Sequence, residues 1–125
     1  MDWAVEVIPD EDNLYKRVHR VHTTRHGIEP SAFKNLPTGS PSMSVDWARY
    51  STCQECRARA KVPSDNAVVQ LRTGRVRAVP GQTVGHSPIE INRSHADVTG
   101  DKTNRIRIEL SRICDIVIPL EQNHS

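Results

Sequence analysis

MSVDWARYSTCQEC, residues 43–56, sets a strand signal directly against a helix start. Met43, Val45 and Trp47 alternate with Ser44, Asp46 and Ala48, the period of two that places apolar side chains on one face of a half-buried strand. Thr52 and Glu55 then make a T-x-x-E capping box: the Thr hydroxyl accepts from the Glu55 amide, and the carboxylate reaches back to the Thr52 amide. The pair predicts a helix over residues 52–61, ended by Pro63 and the Ser-Asp-Asn after it.

Working outward, AVVQL at 67–71 is short, β-branched and bounded by turn residues, so it reads as a strand. Val76 and Val79 leave a second strand or a single helical turn open before Pro80-Gly81. Gly85, Pro88 and Asn92 break the segment 82–93, and 95–99 reads as a late strand ended by Gly100. In 101–114, polar capping residues precede Ile106, Leu110 and Ile113, which share one helical face. Ile108 also permits an alternating strand there, and DIVIPL at 115–120 is a short apolar strand or packed tail. Upstream, Pro9 stops the apolar run 4–8. YKRVHRVHTTRH at 15–26 fits one helical face through Leu14, Val18 and Val21, but its β-branched residues favour a strand. Residues 27–44 hold Pro30, Pro37, Gly39, Pro41 and several serines, giving a long Pro/Ser-rich loop with one helical turn near 31–35. The expectation is an α+β fold: one small domain over 1–125, with a short mixed or antiparallel sheet and two main helices.

Composition bounds the rest. The chain has 125 residues, ordinary for one domain. Hydrophobic residues make up 36%, under the roughly 45–50% usual for globular domains, so the core should be small and mostly aliphatic. Such a chain is a candidate to dimerise or to take a protein partner, since small domains bury a lower share of their surface. No apolar run reaches the ~20 residues of a membrane span, and the first residues lack the pattern of a secretory signal. Three cysteines, Cys53, Cys56 and Cys114, are an odd number without disulfide density, which points to a reducing cytoplasm. Cys114 reads as a small buried hydrophobe.

Net charge is only +2, but it is unevenly placed. Residues 15–26 carry Lys16, Arg17, Arg20 and Arg25 with three histidines and no acid. Arg72, Arg75 and Arg77 form a second cluster, and Arg57, Arg59 and Lys61 would enlarge the patch if the elements met. Basic side chains in this density neutralise phosphates, so the leading expectation is a basic binding module for a phosphate-bearing ligand, nucleic acid or nucleotide. The alternatives are an enzyme on a nucleotide-like substrate, with His19, Ser44, Asp46 and His95 as candidate catalytic residues, and an accessory module whose 27–44 loop contacts a protein. There is no G-x-S-x-G, H-E-x-x-H, Walker or G-x-G-x-x-G motif, and no cofactor is expected. Cys53-x-x-Cys56 and His19-x-x-His22 have spacings that could meet at a tetrahedral metal, and a CxxC at a helix start could exchange disulfides. The stronger expectation is that no metal is bound and that the cysteines are two surface or half-buried thiols of no consequence.

The blocks LYKRVH (14–19), GIEPSAFKN (27–35), MSVDWARYST (43–52), AVVQLRTGRVRA (67–78) and NRSHADVTGDKT (92–103) resemble a family of small prokaryotic proteins without an assigned activity, over residues 14–113. In that family a Glu-rich helix follows where this chain has STCQEC, so the cysteine pair departs from the pattern. The resemblance implies a compact domain in which Arg17, His19, Phe33, Ser44, Asp46 and His95 are the positions to test. The order of elements is also similar to small NAD-dependent ADP-ribosyltransferases, which place an Arg or His on the first strand, a Ser-bearing strand after a loop, and a later catalytic residue. Arg17 or His19 and Ser44 match the first two, and no acid matches the third.

Overall fold

The computed structural model describes residues 3–37, 39 and 41–120. Thr38 and Ser40 of the expected long loop lie outside the described residues. Strand β1 (Asn13–His19) curls into a 3-10 turn at Arg20–His22 and is followed by a small hairpin, β2 (Thr23–Thr24) and β3 (Gly27–Ile28). A second 3-10 turn, Pro30–Ala32, precedes β4 (Ser42–Trp47) and helix α1 (Cys53–Ala58). After a 3-10 turn at Pro63–Asp65 come β5 (Asn66–Arg72), α2 (Thr73–Arg77), β6 (Thr83–His86), β7 (His95–Thr99), α3 (Asn104–Ile113) and β8 (Asp115–Ile118).

The main sheet has the order β6-β7-β4-β1-β5-β8, with every pair antiparallel. One face buries Leu14, Val18, Met43, Val45, Trp47, Val69, Leu71 and Val98, the alternate positions of their strands, against Val76, Ile106, Leu110, Ala32 and Phe33. Helix α1 lies over the other face against β1, β5 and β8. No helix among the described residues is long and apolar enough to cross a membrane.

The α+β domain stands as expected, with corrections. The choice left open around Val76 and Val79 falls to a helical turn, α2, where Gly74 donates its amide to the Asp10 carbonyl and Val76 is fully buried. Segment 82–93 contains β6, an edge strand held by β7 from Thr83↔Thr99 to His86↔Ala96. Residues 27–44 are not one loop, since β3, a helical turn and the start of β4 fall within them. The strand expected over 15–26 ends at His19, whose imidazole Nδ1 accepts from the Val21 amide and caps the turn.

One register feature decides what the fold can do. β1 matches β5 along its whole length, from Asn13↔Arg72 to His19↔Asn66, but meets β4 only at Leu14↔Trp47 and Tyr15↔Asp46. Beyond Tyr15 the two central strands part, and the Ser42 carbonyl of β4 takes the Leu36 amide instead.

Candidate functional site

The parting of β1 and β4 opens a cleft of about 830 Å³, within the roughly 300–1,000 Å³ of small-molecule pockets. Its walls are β1 from Tyr15 to His19 and β4 from Met43 to Asp46, with Arg59 at the end of α1, Lys34, Asn92 and His95 completing the lining. Lys16, Arg17, His19, Ser44, Asp46 and His95, singled out separately in the sequence, all line it.

Asp46 sits at the root, the last matched position before the strands part, and is only 4% exposed. Its Oδ1 accepts from Asn92 Nδ2 at 2.8 Å and Ser94 Oγ at 3.2 Å, and its Oδ2 accepts from Arg59 Nη1 at 3.0 Å with Arg17 Nη1 at 3.8 Å. The Cys56 thiol also donates to it. Burial pushes the carboxyl pKa up, but the hydrogen bonds from Asn92 and Cys56 and the charges of Arg59 and Arg17 outweigh it and hold the group below the usual carboxylate range. Asp46 is therefore a saturated anchor that positions two guanidinium groups, and it is poorly placed to take a proton from a ligand.

Arg17 donates to the Cys56 carbonyl at 2.9 Å and Arg59 to Ser51 Oγ at 3.0 Å. Each guanidinium carries five N–H donors, so both keep several for a ligand. Lys16 is half-buried, and its charged neighbours are the cations Arg17, Lys34 and Lys102. Burial first, and then those cations, push its pKa down to about 8.

On the β4 wall, Ser44 Oγ lies 3.2 Å from His95 Nε2. His95 Nδ1 is 2.9 Å from the Ser87 carbonyl, which can only accept, so Nδ1 carries a proton, and in the neutral ring Nε2 is the nitrogen that accepts the Ser44 hydroxyl. Ser87 Oγ in turn donates to Asp97 Oδ2 at 2.8 Å. His22, beside Ser31 Oγ at 2.9 Å, is held toward its neutral form by burial and by Lys34, His19 and Lys16.

Comparison with protein-family models, curated proteins and solved structures finds no match to this chain. The functional reading rests on the cleft.

The remaining basic residues are not gathered there. Arg20 faces Asp65 at 3.7 Å, and Arg25, exposed in the hairpin, contacts His26. Arg77 is a structural clamp, donating to Asp10 Oδ1 at 2.6 Å and to the Ile8 carbonyl at 2.7 Å. Arg72 and Arg75 are exposed near the far end of β1, since Arg72 is matched to Asn13. That is six residues, roughly 20 Å at about 3.3 Å per residue, from the His19 end.

The Cys2His2 arrangement is not formed. Among the described residues no three His, Cys, Asp or Glu side chains group to hold a metal. Cys56 is buried, and burial with the charge and hydrogen bond of Asp46 pushes its thiol up to about 12, so it stands as a protonated donor to that carboxylate. Cys53 Sγ turns to Gln54. Cys114 is half-buried, its thiol directed at the Ser111 carbonyl, and Phe33 is wholly within the core. Sequence reasoning missed Lys34, Asn92 and Ser94. Lys34 adjoins the quoted Phe33, whereas nothing near Asn92 or Ser94 marks them as partners of an aspartate more than forty residues away.

Proposed function

We propose that the β1/β4 cleft binds a small phosphate-bearing ligand of the nucleotide class. The observation that carries this reading is the charge of the lining: Lys16, Arg17, Lys34 and Arg59 share one cavity, and the acid among the described lining residues, Asp46, has both oxygens committed to protein donors. Cations in a partly enclosed cleft act through less water than on an open face, and arginines held by a buried carboxylate are oriented before a ligand arrives. A polymer is the poorer fit, because the arginines outside the cleft are engaged or far apart.

Titration calorimetry with AMP at low and at physiological salt tests the reading. Binding that weakens with salt, falls at least tenfold in Arg17→Gln and is unchanged in Arg75→Gln supports it, with thermal melts confirming that both variants fold. No binding at millimolar AMP at either salt concentration would sink it.

A second reading makes the cleft an enzyme on a nucleotide-like substrate. The observation favouring it is that Arg17 and His19 on β1 face Ser44 on β4 across the opening, with His95 behind Ser44. This is the order that the similarity to ADP-ribosyltransferases implies for the first two positions. Histidine stands where that likeness would want an acid, and here it would carry a proton. Turnover of NAD that is lost in His95→Ala while binding persists would establish this reading, and its absence in the intact protein leaves a binding module.

A further inference from the structure

We infer that the turn at residues 89–92 is a platform for the base of a nucleotide whose phosphates lie on Lys16, Arg17 and Arg59. The inference rests on the phosphate-binding reading above and specifies the other end of the ligand. Ile91 is 90% exposed and Ile89 46% exposed, yet both line the cleft. Two branched apolar side chains held in water at a pocket mouth gain most when a ligand covers them.

The turn that presents them is fixed. Ile89 and Asn92 exchange backbone hydrogen bonds at 3.1 and 3.0 Å, and the Asn92 side chain donates to Asp46 while its Oδ1 accepts from the Ser94 amide at 3.0 Å. Asn92 is thus both the end of the turn and a partner of the carboxylate that holds Arg17 and Arg59. Platform and cations share one anchor, so their spacing is built in rather than acquired when a ligand binds.

The mixture of chemistry along the cleft selects the occupant. Apolar side chains stand at the exposed rim, Val21 and Leu36 among them, and the buried lining sets Asp46 and the arginines it holds beside Val18, Met43 and Val45. A flexible acyl chain passing the rim would meet buried charge as well as apolar side chains. A flat ring can stay at the rim, stacked on aliphatic side chains, while its phosphate reaches the cations, as bases do between apolar side chains elsewhere.

The test compares AMP with ribose 5-phosphate, which lacks the base, and with dodecyl phosphate, which replaces it by a chain. Each is titrated into the wild type, into I89S/I91S and into Arg17→Gln. The wild type should bind AMP roughly tenfold more tightly than ribose 5-phosphate. In I89S/I91S that advantage should disappear while ribose 5-phosphate affinity stays the same, and the exposure of both side chains keeps the variant folded. Equal affinities for AMP and ribose 5-phosphate, both dependent on Arg17, would overturn the platform and leave the phosphate site standing. An advantage dependent on the isoleucines for dodecyl phosphate, with none for AMP, would overturn it in favour of a lipid-like ligand. No binding of any of the three would overturn platform and phosphate site together.

Discussion

Asp46 and Lys16 are both withdrawn from water at the same cleft, and they meet that cost in opposite ways. The carboxylate is compensated by donors from Asn92, Ser94, Cys56 and Arg59, so it remains ionised, as a buried charge must be to repay its lost hydration. The amine has cations for neighbours, and with burial as the larger cause its pKa falls to about 8. A consequence for binding follows from the sign. Below about 8 Lys16 is an ammonium that attracts a phosphate, and above it the attraction is lost. A bound anion favours the protonated form, so binding above that pH must take up a proton. A phosphate monoester, with its second pKa of about 6, is already about nine-tenths ionised at pH 7 and gains little charge above it. The affinity for ribose 5-phosphate should therefore decline as pH rises from 7 to 9.5, and Lys16→Met should bind more weakly and flatten the decline. Calorimetry in buffers of different ionisation enthalpy reads the proton directly. Lys102, also near 8, donates to the Val98 and Gly100 carbonyls outside the cleft lining, and as one of the cations that lower Lys16 its substitution should move the decline to slightly higher pH without abolishing it. A decline that survives in Lys16→Met would assign it to another group.

Helix α1 is short, and its placement depends on its first turn. Thr52 Oγ1 accepts from the Glu55 amide at 3.0 Å and Glu55 Oε1 from the Thr52 amide at 2.9 Å, completing the box that the sequence shows. With Arg59 at its C-terminal cap, the helix delivers a guanidinium to Asp46. Thr52→Ala should cost about 1 kcal/mol, and Thr52→Ser should restore most of it, as measured by urea denaturation. An unchanged midpoint in Thr52→Ala would mean that packing of Cys56, not the cap, fixes the helix. Elements of this kind were legible because their signals are local: the cap, the alternation in β4, the short strand at 67–71 and the spacing of Ile106 and Leu110. β6 was not, because Gly85 and Pro88 break the local pattern and the strand exists through its ladder with β7. The cleft was half legible. Its residue types stood out, but their meeting depends on where the β1 and β4 register stops, a long-range property with no mark at either strand. Arg57 and Arg59 are likewise alike in sequence, and helix geometry sends the first to the Asn66 carbonyl and the second to the cleft.

Across the whole molecule the near-neutral net charge conceals a separation: positive charge concentrates in the cleft, while the outer arginines are widely placed. Strong attachment to a polymer needs many phosphates neutralised together, each adding to the salt dependence by counterion release. Arg20 and Arg77 already face carboxylates, and Arg72 lies at the opposite end of β1 from the cleft mouth. A single-stranded oligonucleotide of twenty bases should accordingly bind no more tightly than AMP when affinities are expressed per ligand end, and should compete with AMP for one site. Arg72→Gln with Arg75→Gln should change neither affinity nor fold, since exposed side chains without a partner among the described residues shift stability by only about 0.5 kcal/mol or less. Fluorescence anisotropy of the labelled oligonucleotide across a salt series checks this. A steep salt slope that shallows in the Arg72/Arg75 double variant, with AMP failing to compete, would place the ligand on the outer face and return the protein to the class of nucleic-acid binders.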